Sequence, residues 1–188
     1  MRINVRRSTG GENMPEVVIR PESPADVDAI RRINVAAFLV HPMSQQTEHL
    51  IVDALRESGA LEVSLVAHLG ESAVGHIAFS KAKVGSSDGF YLLGPVAVLP
   101  DSQHNGIGSA LVSAGLEELR MRGAEGCVLV GDPGFYGRFG FRSLPGLEYE
   151  GVPGEYVLGL SFGADSPVGE ILANEAFSIE ADDGGGRA

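Results

Sequence analysis

Residues 96–111 read Val96-Ala-Val-Leu-Pro-Asp-Ser-Gln103-His-Asn-Gly106-Ile-Gly108-Ser-Ala-Leu111. An apolar run stops at a proline, a short polar loop follows, and a helical pattern opens on Gly-x-Gly. The first N–H groups of a helix have no intrahelical acceptor and sit at the positive end of its dipole. Glycines at 106 and 108 remove side chains that would hold an anion away, so the junction suits a phosphate or pyrophosphate. A dinucleotide fingerprint needs a third glycine where Leu111 stands, and an acid at the end of the next strand about 20 residues on, where Val128-Leu129-Val130 stand. A P-loop needs Gly-Lys-Ser/Thr, also absent. The stretch predicts an anion cradle of neither common nucleotide type.

Outward from it, the helix runs from Gly106 to Arg122, with Val112, Gly115, Leu116 and Leu119 on one side and Glu118 paired with Arg122 at i,i+4. Gly123 ends it. Cys127 to Val130 reads as a buried strand, Asp132-Pro133 as the start of a short helix, and Tyr156 to Phe162 as a further strand. Upstream, Phe90 to Leu99 is a strand interrupted by Gly94-Pro95, a bulge signal because proline cannot donate to a ladder. Gly85 to Gly89 reads as a loop. Leu61 to Leu69 and Ala73 to Phe79 alternate as strands around a tight turn at Gly70-Glu71. Ser23-Pro24-Ala25-Asp26 starts a helix ending near Phe38; a second begins near Ser44 and closes at Gly59. Val17 to Ile19 is the first clean strand. Hairpins beside crossover helices predict an α/β fold, a mixed sheet with helices on both faces.

The chain has 188 residues, a prior of one domain with a sizeable core. We divide it into a flexible N-terminal extension (1–13), a domain (14–164), and a C-terminal extension with a frayed tail (165–188). With 14 Lys+Arg against 25 Asp+Glu, the net charge of −11 argues against a nucleic-acid partner. One cysteine excludes an internal disulfide framework and a multi-thiolate metal site, and the five histidines show no ligand spacing, so no metal is expected. Apolar runs fall short of the roughly 18 residues that span a bilayer, and no leader pattern opens the chain. The expectation is a cytoplasmic protein with no membrane partner.

Gln103-x-x-Gly106-x-Gly108 at a strand–helix junction resembles the acetyl-coenzyme A motif of the GNAT-superfamily N-acetyltransferases. Phe135-Tyr136-Gly137-Arg138-Phe139-Gly140-Phe141 is similar to that superfamily's second signature, and the run from Leu93 to Phe141 looks like its YhbS-like bacterial branch. The resemblance covers roughly residues 14–162. It implies a single-domain fold with a mainly antiparallel twisted sheet and transfer of an acetyl group from acetyl-CoA, as co-substrate, to a primary amine. Other implied readings are transfer from another acyl-CoA and a non-catalytic CoA-binding sensor. It further implies that Val96, Ala97 and Val98 bind the pantetheine arm. Gln103, His104, Asn105, Gly106, Ile107, Gly108 and Ser109 would hold the pyrophosphate, and Tyr136 would be the general acid. The acceptor, a small molecule or a peptide amine, would lie against Asn34 to Glu48, including Phe38, His41 and Met43. A homodimer is also in keeping with it.

Each residue has a plainer reading. Tyr136 could be packing among phenylalanines. Gln103 could simply cap its loop, and Arg138 and Arg142 could be solvated or reach coenzyme phosphates. Cys127 reads as an inert core thiol. No general base stands out; Glu48, His41, Tyr91 and Asp88 are the conceivable ones. The acidic balance favours a cationic acceptor.

Overall fold

The computed structural model describes residues 3–5, 16–39 and 44–179. Strands β1 (Ile3–Val5) and β2 (Val17–Pro21) precede helices α1 (Val27–Phe38) and α2 (Glu48–Glu57). Three long strands follow, β3 (Leu61–Leu69), β4 (Ser72–Val84) and β5 (Ser87–Val98), then α3 (Ile107–Met121) and β6 (Gly126–Val130). The rest comprises α4 (Pro133–Tyr136), β7 (Arg142–Ser143), β8 (Leu147–Glu148), β9 (Val157–Ser161), β10 (Gly169–Leu172) and a 3-10 turn at Glu175–Ser178. The main sheet runs β1-β2-β3-β4-β5-β6-β9-β7, with β10 beside β4 and β8. All pairings are antiparallel except β5–β6 and β8–β10.

Side-chain alternation sorts the strands into two faces. Val63, Leu65, Ala67, Ile77, Phe79, Tyr91 and Leu93 pack with Leu111, Val112, Leu116 and Leu119 of α3. Val66 and Ala78, of opposite parity, pack with Ile30 of α1 and Val52 of α2. On that second face, Ala82, Val84, Phe90 and Leu92 meet Leu147, Val157 and Ile171. Helices therefore cover both faces. The fit of α3 to the sheet depends on Gly115, where an added Cβ would stand 2.3 Å from the Phe79 ring.

The expected bulge is present. Phe79 pairs with Leu93 and Ile77 with Val96, so Ala78 alone faces Gly94 and Pro95. Core-facing parity in β5 consequently switches from odd (Tyr91, Leu93) to even (Val96, Val98). The extra residue turns the end of the strand.

Several boundaries differ from the sequence reading. Part of the 1–13 segment read as a flexible extension is paired: Ile3–Val5 lies antiparallel to β2. Residues 6–15 and the proposed frayed tail, 182–188, lie outside the described residues. Gly85 to Gly89 is not a full loop: only Gly85 and Ser86 separate β4 from β5, because Ala82 and Val84 keep alternating inward. The second helix starts at Glu48 and not near Ser44, whose hydroxyl is committed to the Glu48 carboxylate (2.6 Å). The C-terminal extension joins the sheet, Ile171 pairing with Val84. No described helix is long and apolar enough to cross a membrane.

A polar chain is buried beneath α1 and α2. Ser64 gives its single proton to Glu22, so it accepts from His76 Nε2 (2.9 Å). His76 Nδ1 is then the acceptor for Asn34 Nδ2 (3.2 Å), which also donates to Ile30 O (2.9 Å). Glu22 is held by Arg56, which pairs with Asp53 as well. Burial depresses His76 to a pKa of about 3, despite the attraction of Glu22. The unfolded chain therefore takes up this proton first, near pH 6.5. Stability should fall as pH drops from about 6.5 towards 3, by up to about 1.4 kcal/mol per unit. Denaturant melts across that range should show a shallower slope for His76→Gln; an equal slope would mean that the ring titrates freely.

Candidate active site

The parallel pair β5–β6 holds only from Phe90/Gly126 to Leu92/Val128. β5 continues to Val98 and β6 to Val130, so their facing edges part where the bulge turns β5 aside. On its other side, β5 stays paired with β4 through Val96, Ala97 and Val98. The result is a cleft with one free strand edge, able to hydrogen-bond an extended ligand as a further strand would.

The loop after β5 ends this cleft. Gln103 Nε2 donates to Val98 O (3.0 Å), which ties the loop to the strand. His104 (φ 58°) and Gly106 (φ 78°) both take the left-handed conformation, which turns successive amides towards one side as an anion-binding nest does. Among the described residues, no backbone carbonyl accepts from the amides of His104, Asn105, Gly106, Ile107, Gly108 or Ser109, while Ala110 N already bonds Gly106 O. The two glycines act differently. Gly106 supplies a backbone angle with nothing within 4 Å of an added Cβ, whereas Gly108 has an ordinary angle and keeps space clear. An added Cβ at Gly108 would lie 3.7 Å from Val98 and 3.9 Å from Phe135, so strand end, helix start and α4 converge here.

Tyr136 is the next residue of α4 after Phe135. Asp132 caps α4 by accepting from Gly134 N (2.9 Å). The Tyr136 ring packs edge-on against Phe135 (4.9 Å) and Phe141 (5.9 Å). It is 9% exposed, and burial raises its pKa above the ordinary phenol value, with Cys127 adding to the rise. The phenol is therefore protonated at neutral pH. Gly131, which the sequence reading passed over, leaves room for the ring: a Cβ there would lie 2.5 Å from Tyr136 Cε2. Its only sequence signal was a glycine directly after a strand.

Other candidates are placed elsewhere. Asp88 is exposed at the start of β5, six residues or about 20 Å of strand from the bulge, and Tyr91 is buried against α3. Neither meets the cleft as a base would. Asn34 is buried on His76 and Phe38 is half-buried; His41 and Met43 lie outside the described residues. Arg142 bonds Gly137 O and Phe141 O and so fastens the α4 turn, while Arg138 lies over the Phe135 ring (4.9 Å). Cys127 is fully buried, and burial raises its thiol pKa. Among the described residues, no cluster of three His, Cys, Asp or Glu could hold a metal.

Residues 60–143 match the family described as Acetyltransferase (GNAT) domain. The chain is 33% identical over 135 residues to YjhQ of Escherichia coli K12, an uncharacterised N-acetyltransferase, covering 70% of this chain and 72% of that one. It is 35% identical over 128 residues to YhbS of the same strain, also an uncharacterised N-acetyltransferase, covering 67% and 74%. Among solved structures, it resembles a GNAT family acetyltransferase from Brucella melitensis in complex with acetyl-CoA. That match has a TM-score of 0.76 and 45% identity and covers 86% of this chain and 97% of that one. The crystal structure of YhbS from Escherichia coli with CoA gives a TM-score of 0.78 at 26% identity, over 91% and 96%.

Proposed function

Since the chain belongs to the GNAT acetyltransferase family, we propose that it transfers the acetyl group of acetyl-CoA directly to a primary amine, with Tyr136 as general acid. What supports this reading is a cleft with unpaired amides and a free strand edge, bordered at Phe135 by the short helix that carries the buried phenol of Tyr136. The cleft suits the coenzyme on its own chemistry. The amides of His104 to Ser109 would hold the pyrophosphate, and the space kept by Gly108 admits it. The edge of β5 at Val96, Ala97 and Val98 would bond the pantetheine arm. When bound, acetyl-CoA supplies an activated acetyl group. The protein's part is to aim that group, to exclude water, and to offer the phenolic proton of Tyr136 to the departing sulfur.

Acetyl-CoA should stabilise the fold, by roughly 2.7 kcal/mol at one hundred times Kd, since only the folded state binds it. A melting series with acetyl-CoA, paired with thiol release over a panel of amines, checks both halves. Absence of any shift would remove the coenzyme; a shift with no thiol release would leave a binding module. Gly131→Ala should push the Tyr136 ring from its seat and lower kcat by about 10², the scale of an ångström-sized misplacement, while the acetyl-CoA shift persists. Native kcat in that variant would show that the ring does not need its position.

A further inference from the structure

The two parts of the cleft, a strand edge and a nest of loop amides, are joined by a side chain. Leu99 N bonds Val74 O, and Ala97 pairs with His76 in the same register. Along an antiparallel pair, residues alternate between exchanging both backbone bonds with the partner strand and exchanging none. Ala97 therefore bonds towards β4, whereas Val96 and Val98 turn their N–H and C=O groups to the open edge. One end of that edge is the bulge, backed by the Phe177 ring, which lies 3.6 Å from where a Gly94 Cβ would be. The other end is Val98, whose carbonyl is already taken. It accepts from Gln103 Nε2 at 3.0 Å.

A loop clasp alone would not need this bond. Ser102 N bonds Leu99 O and Gln103 N bonds Pro100 O, so the main chain closes the turn without the side chain. Nor does Val98 O need it, since a carbonyl facing the cleft finds water. What the bond adds is a fixed spacing. Gln103 is followed at once by His104, where the left-handed residues of the nest begin. The start of the nest is thus held one Gln side chain away from the end of the edge. The same bond stops strand-like pairing at the Val98 N–H, so an extended ligand has to leave the edge where the amides take over.

We propose that Gln103 is a positioning residue, whose side-chain amide keeps the open edge of β5 and the nest in register for one molecule that joins an extended amide arm to a diphosphate. This rests on the function proposed above, in which acetyl-CoA is such a molecule. Two weakly held parts reinforce each other only when their sites lie at the spacing of the link between them. With Val98 released, the loop would still hold an anion and the edge an arm, at a distance no longer fixed.

The test is calorimetric titration of the native protein and of Gln103→Met, a side chain of similar length with no donor, using acetyl-CoA and its two parts, S-acetylpantetheine and ADP. Native protein should bind acetyl-CoA at least about a hundredfold more tightly than either part. Gln103→Met should weaken acetyl-CoA about tenfold, the scale of one hydrogen bond, and bind each part within about twofold of native. Gln103→Arg, which still offers N–H groups to Val98 O, should bind acetyl-CoA more tightly than Gln103→Met; no gain would count against the bond. Native-like acetyl-CoA binding by Gln103→Met would overturn the proposal. So would equal weakening of all three ligands, the mark of a loop that has only lost its shape. In both cases the acetyltransferase reading stands. A native protein that bound neither acetyl-CoA nor its parts would sink that reading and the positioning role with it.

Discussion

Tyr136→Phe should bind acetyl-CoA as the native protein does and turn over about 10²–10⁴ times more slowly, the span of a positioned general acid. The change removes one hydroxyl. Among the described residues that hydroxyl makes no side-chain hydrogen bond, and the ring keeps its contacts with Phe135 and Phe141, so neither fold nor coenzyme site loses a support. Because burial raises the phenol pKa, Tyr136 stays protonated through the working pH range. The native pH–rate profile should therefore show no alkaline fall from this residue below about pH 10. Equal turnover of the Phe variant with an accepted amine would leave Tyr136 as packing and make solvent the proton source. Loss of the acetyl-CoA shift together with rate would assign the ring to the shape of the cleft.

Gly108→Val should abolish the acetyl-CoA melting shift in a protein that still folds. The neighbours an added Cβ would meet are Val98 at 3.7 Å and Phe135 at 3.9 Å, ordinary contact distances, and the backbone there is helical. Helix propensity does not oppose the change either, since Gly is itself a poorer helix former than Val. The branches of Val would instead fill the space in front of the unpaired amides. Gly106→Ala separates the two kinds of requirement: it fills no occupied space but strains a backbone at φ 78°. It should lower Tm before it lowers affinity. Unimpaired acetyl-CoA binding by folded Gly108→Val would put the pyrophosphate elsewhere.

Local signals in the sequence were reliable where the physics is local. The helix over 107–121, its Glu118–Arg122 pair, the turn at Gly70 and the bulge at Gly94-Pro95 all follow from residues a few positions apart. The geometry of the loop over 103–109 was legible for the same reason, since its amides, its glycines and the strand end that anchors it lie within one short stretch. What escaped was long-range. The chain from Asn34 through His76, Ser64 and Glu22 to Arg56 joins four separate elements, and nothing in their spacing announces it. Gly131 reads as a turn residue until the Tyr136 ring is seen against it. The C-terminal extension gave a composition with no apparent role, yet it supplies an edge to β4 and the ring over Gly94.

That last feature bears on the order in which the protein matures. Every group assigned to the coenzyme lies between Val96 and Tyr136, whereas Phe177 belongs to a segment translated 41 residues after Tyr136. At synthesis rates of about 5–20 residues per second, the ring arrives several seconds behind the cleft it flanks. β10 also has to find β4 and β8, strands already long made, before its turn can settle on Gly94. A ribosome halted in that interval would carry a chain whose β4 still lacks β10 and whose Gly94 is not yet covered by the Phe177 ring.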